Sequence, residues 1–435
     1  MAFEKRRVDV ITMGCSKNLV DSERLMRRLE EKGYAMYHDA EEPTGEYVVL
    51  NTCGFICDAL EESIQMLLSL VQRKEAGNVG KIAVMGCMSQ RYLDQLKPEF
   101  PEVDYWYGKF DWDAFTAMLP DVSGGHKPVP DWDRTITTPP HSAYLKISEG
   151  CNRFCAFCAI PLITGRHTSR PVEEILDEVR ELVSRGVKEF NVIAQDLSSY
   201  GMDTAGRHLL PELIERISDI EGVEWIRLHY AYPADFPYDI LRVIRERKNV
   251  CKYLDIALQH ISDNVLTRMR RHIGREETLS LIKRIREEVP GICLRTTLMV
   301  GFPGETEEDF EELKEFVREA RFDRMGCFAY SEEQDTYAAR HYTDDVPQDV
   351  KQQRREEIEE MQQRIAGQLN SQLVGRKLKV LVDEVYPDYA IARTEFDSPE
   401  VDYEVTVYGG SPVEGEFIEV EITDVEEENI NAKAL

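Results

Sequence analysis

The stretch Glu149-Gly150-Cys151-Asn152-Arg153-Phe154-Cys155-Ala156-Phe157-Cys158 sets three thiols at spacing C-x3-C-x2-C, between an apolar strand pattern and a basic loop. Each iron of a cubane iron–sulfur cluster takes one ligand from outside the inorganic core, and cysteine thiolate is the usual donor. Three cysteines on one loop therefore hold three irons and leave the fourth open, as a catalytic metal site keeps a position for its substrate. Gly150 lets the backbone come close, and Phe154 and Phe157 can keep water off the cluster. Two other readings compete: a zinc site, which favours paired C-x2-C units, and buried thiols acting as small apolar side chains. Three thiols this close together are too dense for core filling.

The spacing, with an aromatic residue before the last cysteine, resembles the signature of the radical S-adenosylmethionine enzymes. That resemblance implies a 4Fe-4S cluster on Cys151, Cys155 and Cys158, whose open iron chelates the amino and carboxylate groups of S-adenosylmethionine.

Around this loop, from about 138 to 348, strand-like runs alternate with helical ones, at 143–148, 188–195, 224–230, 252–259, 291–299 and 322–330. Pro171 opens and Gly186 closes the first helix, and Thr306 with Asp309 makes a capping-box pattern. Six βα units predict a partial (β/α)6 barrel of TIM type, with chemistry at the carboxyl ends of its strands. Those ends carry Gln195 and Asp196, Arg227 and His229, Asp255, Gln259 and His260, Arg295 to Thr297 ahead of Gly301-Phe302-Pro303-Gly304-Glu305, and Tyr330. The turn at Gly301 leads into an acidic helix start, which argues against phosphate. By the radical S-adenosylmethionine resemblance, Gln195, Gln259, Arg295, Gly301 and Tyr330 form the pocket for that cofactor. A Gln or Arg at a barrel mouth also has a plainer use, satisfying loop carbonyls. Cys251, Cys293 and Cys327 lie in or beside barrel strands and read as core. Radical chemistry demands no general base, and none is assigned.

Before the barrel, three apolar runs each lead to a cysteine: 8–15, 47–54 and 81–87. Helical patterns at 21–32 and 58–74 separate them, so the segment reads as repeated βαβ units and a parallel sheet. Cys15, Cys53 and Cys87, separated by 38 and 34 residues, then all emerge at the carboxyl ends of strands, where open α/β sheets place ligands. Three separately buried thiols are the competing reading. The flanks Gly14-Cys15-Ser16-Lys17-Asn18, Asn51-Thr52-Cys53-Gly54-Phe55-Ile56 and Gly86-Cys87-Met88-Ser89-Gln90-Arg91-Tyr92 resemble the three cluster-binding motifs of the methylthiotransferases. That resemblance implies a second 4Fe-4S cluster on Cys15, Cys53 and Cys87. Cys57 has no counterpart in the motif and is read as structural. A breaker-rich connector at 120–130 ends this domain.

Residues 349–373 read as a solvated connecting helix with Val350, Ile358, Met361, Ile365 and Leu369 on one face. Beyond Gly375, four short alternating strands at 378–382, 389–393, 403–407 and 416–422 predict a small antiparallel barrel of OB-like type. Its place in the chain resembles the TRAM domain that ends methylthiotransferases and some RNA methyltransferases, a domain that grips RNA in RNA-modifying relatives. Here residues 373–435 hold five Lys or Arg against sixteen Asp or Glu, the wrong sign for a phosphate backbone. The expected organisation is α/β overall: a parallel-sheet domain at 1–137, the barrel with its connecting helix at 138–372, and the terminal barrel at 373–435.

Composition agrees. At 435 residues the chain is long enough for about three domains. Its net charge of -28 attracts a basic protein and repels RNA, except RNA met through the ribosome. Ten cysteines, in a chain whose start leads directly into a strand pattern without a signal peptide, are expected to be ligands in a reducing cytoplasm. With no apolar run of ~18 residues, a membrane span is not expected.

A resemblance over nearly all 435 residues in three consecutive modules, with six cysteines in register in the first two, identifies the chain as similar to the methylthiotransferase family. Val20-Asp21-Ser22-Glu23 and Tyr253-Leu254-Asp255-Ile256-Ala257-Leu258-Gln259-His260 look like the branch that modifies a small-subunit ribosomal protein, the S-twelve protein, on the β-carbon of one aspartate. The family chemistry implies that the first cluster passes an electron, from a donor such as flavodoxin or ferredoxin, to S-adenosylmethionine. The resulting deoxyadenosyl radical removes a hydrogen from the aspartate carbon, which then captures a methylthio group from the second cluster. For this the two open irons must face one cavity. Two alternatives stand beside this reading: a methylthiotransferase acting on transfer-RNA adenosine, and a non-catalytic iron–sulfur carrier.

Overall fold

The computed structural model describes residues 3–125, 129–426 and 429–435; within the connector at 120–130, residues 126–128 lie outside the described residues. The chain forms two compact units. One runs to Thr138 and adds Glu149–Asn152 and Ala159–His167; the other comprises Pro139–Ser148, Arg153–Cys158 and Thr168–Leu435.

In the first unit, β1 (Glu4–Thr12), β2 (Ala35–His38), β3 (Gly45–Thr52), β4 (Lys81–Gly86) and β5 (Tyr105–Trp106) form a sheet of order β2-β1-β3-β4-β5. Every pairing in it is parallel. The central strands are buried on both faces, as a parallel sheet flanked by helices requires. Helices α1 (Ser16–Glu31), α2 (Cys57–Glu75) and α3 (Cys87–Glu99) follow β1, β3 and β4. The three cysteine-bearing strand ends are therefore immediate neighbours in the sheet.

In the second unit, six parallel strands make the barrel wall: β6 (Ser142–Lys146), β7 (Glu189–Ile193), β8 (Trp225–Ala231), β9 (Val250–Ile256), β10 (Cys293–Val300) and β11 (Arg324–Ala329), in the order β11-β10-β9-β8-β7-β6. The expected capping box forms, with the Thr306 hydroxyl and Asp309 carboxylate each bonding the other's backbone N–H. The helix Gln348–Ser371 differs from the solvated connector expected of it. Its buried face is led by long polar side chains that bond the barrel: Lys351 Nζ to the Tyr330 carbonyl at 3.3 Å, Arg354 to Glu305 at 2.8 Å and Gln362 to the Phe322 carbonyl at 2.8 Å. Stems of Lys and Arg cover apolar surface while their heads find acceptors, so an apolar pattern alone misplaces the face.

The chain ends in a closed barrel of β12 (Lys377–Val385), β13 (Ala390–Thr394), β14 (Val405–Tyr408), β15 (Phe417–Glu426) and β16 (Asn429–Ala434). Its ladders are antiparallel except β14 with β16, which pair in parallel. Its 394–402 loop seals the foot of the larger barrel, meeting the starts of those strands. Arg324 donates to Asp397 at 2.6 Å, Tyr253 to Asp402 at 2.8 Å and Tyr144 to Glu400 at 3.2 Å. Beside them, fully buried Glu189 accepts from Arg393 at 2.8 Å and from Arg227 at 2.8 Å.

Burial alone would raise the Glu189 pKa, but Arg393 and Arg227 hold it down at about 2. Because the folded value lies below the unfolded one, this carboxylate's stabilisation is full above about pH 4.5 and is lost as pH falls toward 2. Glu189→Gln is expected to flatten that part of the acid dependence, and to cost roughly 3–5 kcal/mol at neutral pH, because the buried Arg227 loses its carboxylate and Arg393 keeps only Asp383. Thermal midpoints of both proteins across pH 2–6 check it. Among the described residues no helix is long and apolar enough to cross a membrane.

Candidate active site

The central cysteine loop is pinned by its own backbone. Ala156, fully buried, donates to the Met269 carbonyl at 2.9 Å and accepts from Ala338 N–H at 2.7 Å, and Cys158 N–H closes a turn onto the Cys155 carbonyl at 3.1 Å. Cys155 is buried and Cys158 half-buried. Phe157 packs edge-on to Phe302, whereas Phe154 has φ 49° and stays 45% exposed.

Two arginines meet at the ring of Tyr232. Arg153 lies 4.3 Å from its centroid and is neutralised by Asp196 at 2.7 Å and Asp235 at 3.2 Å. Arg271 lies 4.2 Å from the same ring and points Nη1 at the Cys155 sulfur, 3.1 Å away. None of the ten cysteines is disulfide-bonded.

Cys151 is half-buried, and its N–H donates to the Gly165 carbonyl at 3.2 Å. Gly150 has φ 77°, and a Cβ there would collide with the Arg166 carbonyl, which is the close approach the sequence implies.

Of the five residues expected around S-adenosylmethionine, Gly301 and Tyr330 come together at adjoining strand ends. Tyr330 N–H donates to the Val300 carbonyl at 2.8 Å, and its ring meets Phe302 at 5.1 Å. Gly301, at φ 71°, donates its N–H to Glu305 at 2.8 Å. Gln259 joins the same strand, donating to the Thr297 carbonyl and accepting from Met299 N–H, in a left-handed conformation at φ 71°. Gln195 sits two residues past β7, half-buried. Arg295 is not at this end. It stands five residues before the end of β10, paired with Asp255 and with Asp402 of the terminal barrel, each at 3.4 Å, because the acidic 394–402 loop captures its guanidinium.

One observation speaks for a ligand at the Tyr330 end. The Tyr330 hydroxyl is buried and has no hydrogen-bond partner among the described residues, although buried polar groups are normally paired. Near the turn at Gly301, where its ring lies 3.6 Å from Glu305, burial drives His260 down to about 3, so the ring stays neutral and accepts from Ser262 N–H through Nδ1.

The amino-terminal triplet is packed by small residues and amides. Cys15 follows β1, Cys53 directly follows β3 and Cys87 directly follows β4; Cys15 is exposed and the other two are buried. Gly14, at φ 91°, lies so close to Cys53 that a Cβ would sit 2.7 Å from its sulfur. Asn18 organises the group: its amide donates to the Met13 carbonyl at 3.0 Å and to the Thr52 carbonyl at 3.1 Å, and its Oδ1 lies 3.7 Å from the Cys87 sulfur. Lys109, buried and absent from the sequence-based expectation, donates to Asn18 Oδ1 at 3.2 Å and to Asp21 at 2.8 Å. Burial pushes the Cys87 thiol up to about 12; Lys109 opposes the rise and neighbouring Cys15 and Cys53 add to it. Cys57 is exposed at the start of α2, while Cys251, Cys293 and Cys327 are core residues as expected.

Among the described residues no three His, Cys, Asp or Glu side chains converge on one ion position. A tetrahedral zinc ion needs such convergence. A four-iron cluster puts each thiolate on a different iron, so its ligands stand apart. Dense thiols beside a buried Arg and a buried Lys fit an anionic cluster.

The comparisons with known proteins agree with this fold. The model of the radical SAM superfamily matches residues 145–317, that of uncharacterized protein family UPF0004 residues 7–108, and that of the TRAM domain residues 374–435. By structure, the chain superposes on the radical S-adenosylmethionine methyltransferase TsrM from Kitasatospora setae with a TM-score of 0.55 at 13% identity, covering 75% of each chain. It superposes on the cobalamin-dependent S-adenosylmethionine radical enzyme OxsB at 0.52 and 14%, covering 81% of this chain and 56% of that one. Those likenesses are of fold. Barrel and cysteine loop thus define a radical S-adenosylmethionine enzyme, one that uses an iron–sulfur cluster with S-adenosylmethionine.

The sequence relatives are closer. Ribosomal protein uS12 methylthiotransferase RimO of Bacteroides thetaiotaomicron is 60% identical over 100% of this chain and 99% of its own length. The protein of that name from Porphyromonas gingivalis is 54% identical over 99% of both, and that from Flavobacterium johnsoniae 46% over 98% and 97%. The chain belongs to this family, the RimO methylthiotransferases.

Proposed function

We propose that this enzyme places a methylthio group on the β-carbon of an aspartate in ribosomal protein uS12, using S-adenosylmethionine and two 4Fe-4S clusters. The observation that carries the reading is a matched pair of three-cysteine sets. One set lies on the C-x3-C-x2-C loop, and the other stands at three adjacent parallel strand ends inside family motifs. An aspartate β-carbon has no acidity that a general base could use at neutral pH, so bound cofactors supply the hydrogen removal and the sulfur.

The chain's own residues bind, orient and keep the site dry. Cys151, Cys155 and Cys158 would hold one cluster, and Cys15, Cys53 and Cys87 the other. Phe157 and Phe302 exclude water beside the first. The Tyr330 hydroxyl, Gln195, Gln259 and the turn at Gly301 would bind S-adenosylmethionine, with Glu305 fixing that turn. Arg295 enters only indirectly, through the Asp255 carboxylate it neutralises. The division into 1–137, 138–372 and 373–435 belongs to this reading: sulfur-donating module, radical barrel, and a terminal barrel whose acidic surface suits a basic ribosomal protein. A flavodoxin or ferredoxin in the cytoplasm would supply electrons.

Mass spectrometry of small-subunit proteins from cells with and without this chain is expected to find one added methylthio unit on uS12, and an unmodified uS12 would sink the proposal. A transfer-RNA substrate is the rival, and the excess of carboxylates in 373–435 disfavours it. Salt-sensitive gel shift of transfer RNA by the full chain would favour that rival.

A further inference from the structure

We propose that Arg271 sets the reduction potential of the cluster held by Cys151, Cys155 and Cys158, through a buried and charged hydrogen bond to the Cys155 sulfur. The inference rests on the assignment of those cysteines as cluster ligands.

Arg271 is 3% exposed. Its Nη1 lies 3.1 Å from Cys155 Sγ, and its Nη2 donates to the Ala257 carbonyl. The Tyr232 ring lies against its guanidinium, and the Tyr232 hydroxyl donates to the Arg271 carbonyl at 2.6 Å, so ring and backbone hold the fork in place. The contrast with Arg153 is informative. Arg153 approaches the same ring but has Asp196 and Asp235 as counter-charges. Among the described residues no carboxylate pairs with Arg271, and its Nε has no hydrogen-bond partner.

A guanidinium does not give up its proton, and a buried charge is tolerated only when paired. The partner that the geometry offers is the Cys155 sulfur, and with it whatever negative charge the three thiolates and their cluster carry. Reduction adds one more negative charge at that place. A fixed cation 3.1 Å from a ligand sulfur stabilises the reduced form more than the oxidised one, most strongly where water is excluded. Hydrogen bonds to cluster sulfurs also raise reduction potentials. Arg271 therefore makes the cluster easier to reduce, and acts through Cys155 as a positioning residue.

The test uses the full chain with Cys15→Ala, Cys53→Ala and Cys87→Ala, so that one cluster reports, loaded with iron and sulfide anaerobically. Midpoint potentials are read by spectroscopic redox titration, and iron content beside them. Arg271→Met is expected to keep its iron and move the midpoint to a more negative value, and Arg271→Lys to recover most of the shift. An unchanged midpoint in an iron-loaded Arg271→Met overturns the proposal. Should that variant not load, Arg271→Gln, which keeps an N–H donor without charge, is titrated in its place with the same two outcomes. If neither neutral variant loads while Arg271→Lys does, Arg271 serves cluster assembly and the potential-setting role is overturned. A parent chain that binds no cluster fails the ligand assignment instead.

Discussion

Cys155→Ser is expected to end the release of 5′-deoxyadenosine from S-adenosylmethionine under reducing conditions and to remove roughly half of the bound iron, as one of two clusters is lost. The environment of Cys155 accepts a sulfur anion: the thiol is buried, Arg271 donates to it, and the Tyr232 hydroxyl is 3.8 Å away. A serine hydroxyl is not deprotonated in such a place and makes a poor iron ligand. The loss should exceed the roughly 10- to 100-fold that changes in a ligand's outer partners cost. Iron analysis and chromatography of the nucleoside product check both parts. Cofactor cleavage that survives the substitution removes the assignment of the loop.

Cys53→Ala is expected to separate the two halves of the reaction. Deoxyadenosine release should persist, while methylthio insertion into uS12 falls to background and iron again drops by roughly half. Cys53 is held by Ser63, whose hydroxyl accepts from its N–H at 3.1 Å and donates to its carbonyl at 2.9 Å. That brace does not depend on the thiol, so the strand end should keep its shape, and the cost in stability should be that of one small buried group, about 1 kcal/mol. Product analysis by mass spectrometry decides it: unchanged insertion means that Cys53 holds no sulfur-donating cluster.

Much of this architecture was legible because the parallel strands are apolar runs ending in chemically distinct residues. Val8, Val10, Val48, Val49, Leu50 and Val84 are buried in the sheet, and the cysteines that follow mark where the strands stop. The strands that were missed lack that pattern. Ala35–His38 and Tyr105–Trp106 are short edges of the first sheet, and Asn429–Ala434 mixes polar residues into a barrel strand whose core contacts are Ile430, Ala432 and the partly buried Ala434.

At the site, the thiols were legible from spacing. Lys109 and Arg271 were not, because a single cation gives no periodic signal and its meaning lies in what surrounds it. Arg295 shows the converse case. Its sequence neighbourhood gives no sign that its guanidinium is shared between Asp255 and Asp402, the second of them 107 residues further on.

The seal at the barrel's foot bears on whether modules of this family are interchangeable parts. A graft that replaced residues 373–435 with a basic counterpart would strip Glu189 of Arg393, Arg324 of Asp397 and Tyr253 of Asp402. Arg295 would also lose one of its two carboxylates. Such a chimera should melt early whatever its new surface binds, and a stable exchange would require rewriting the barrel residues that answer the loop. The terminal barrel and the scaffold it closes are thereby inherited together.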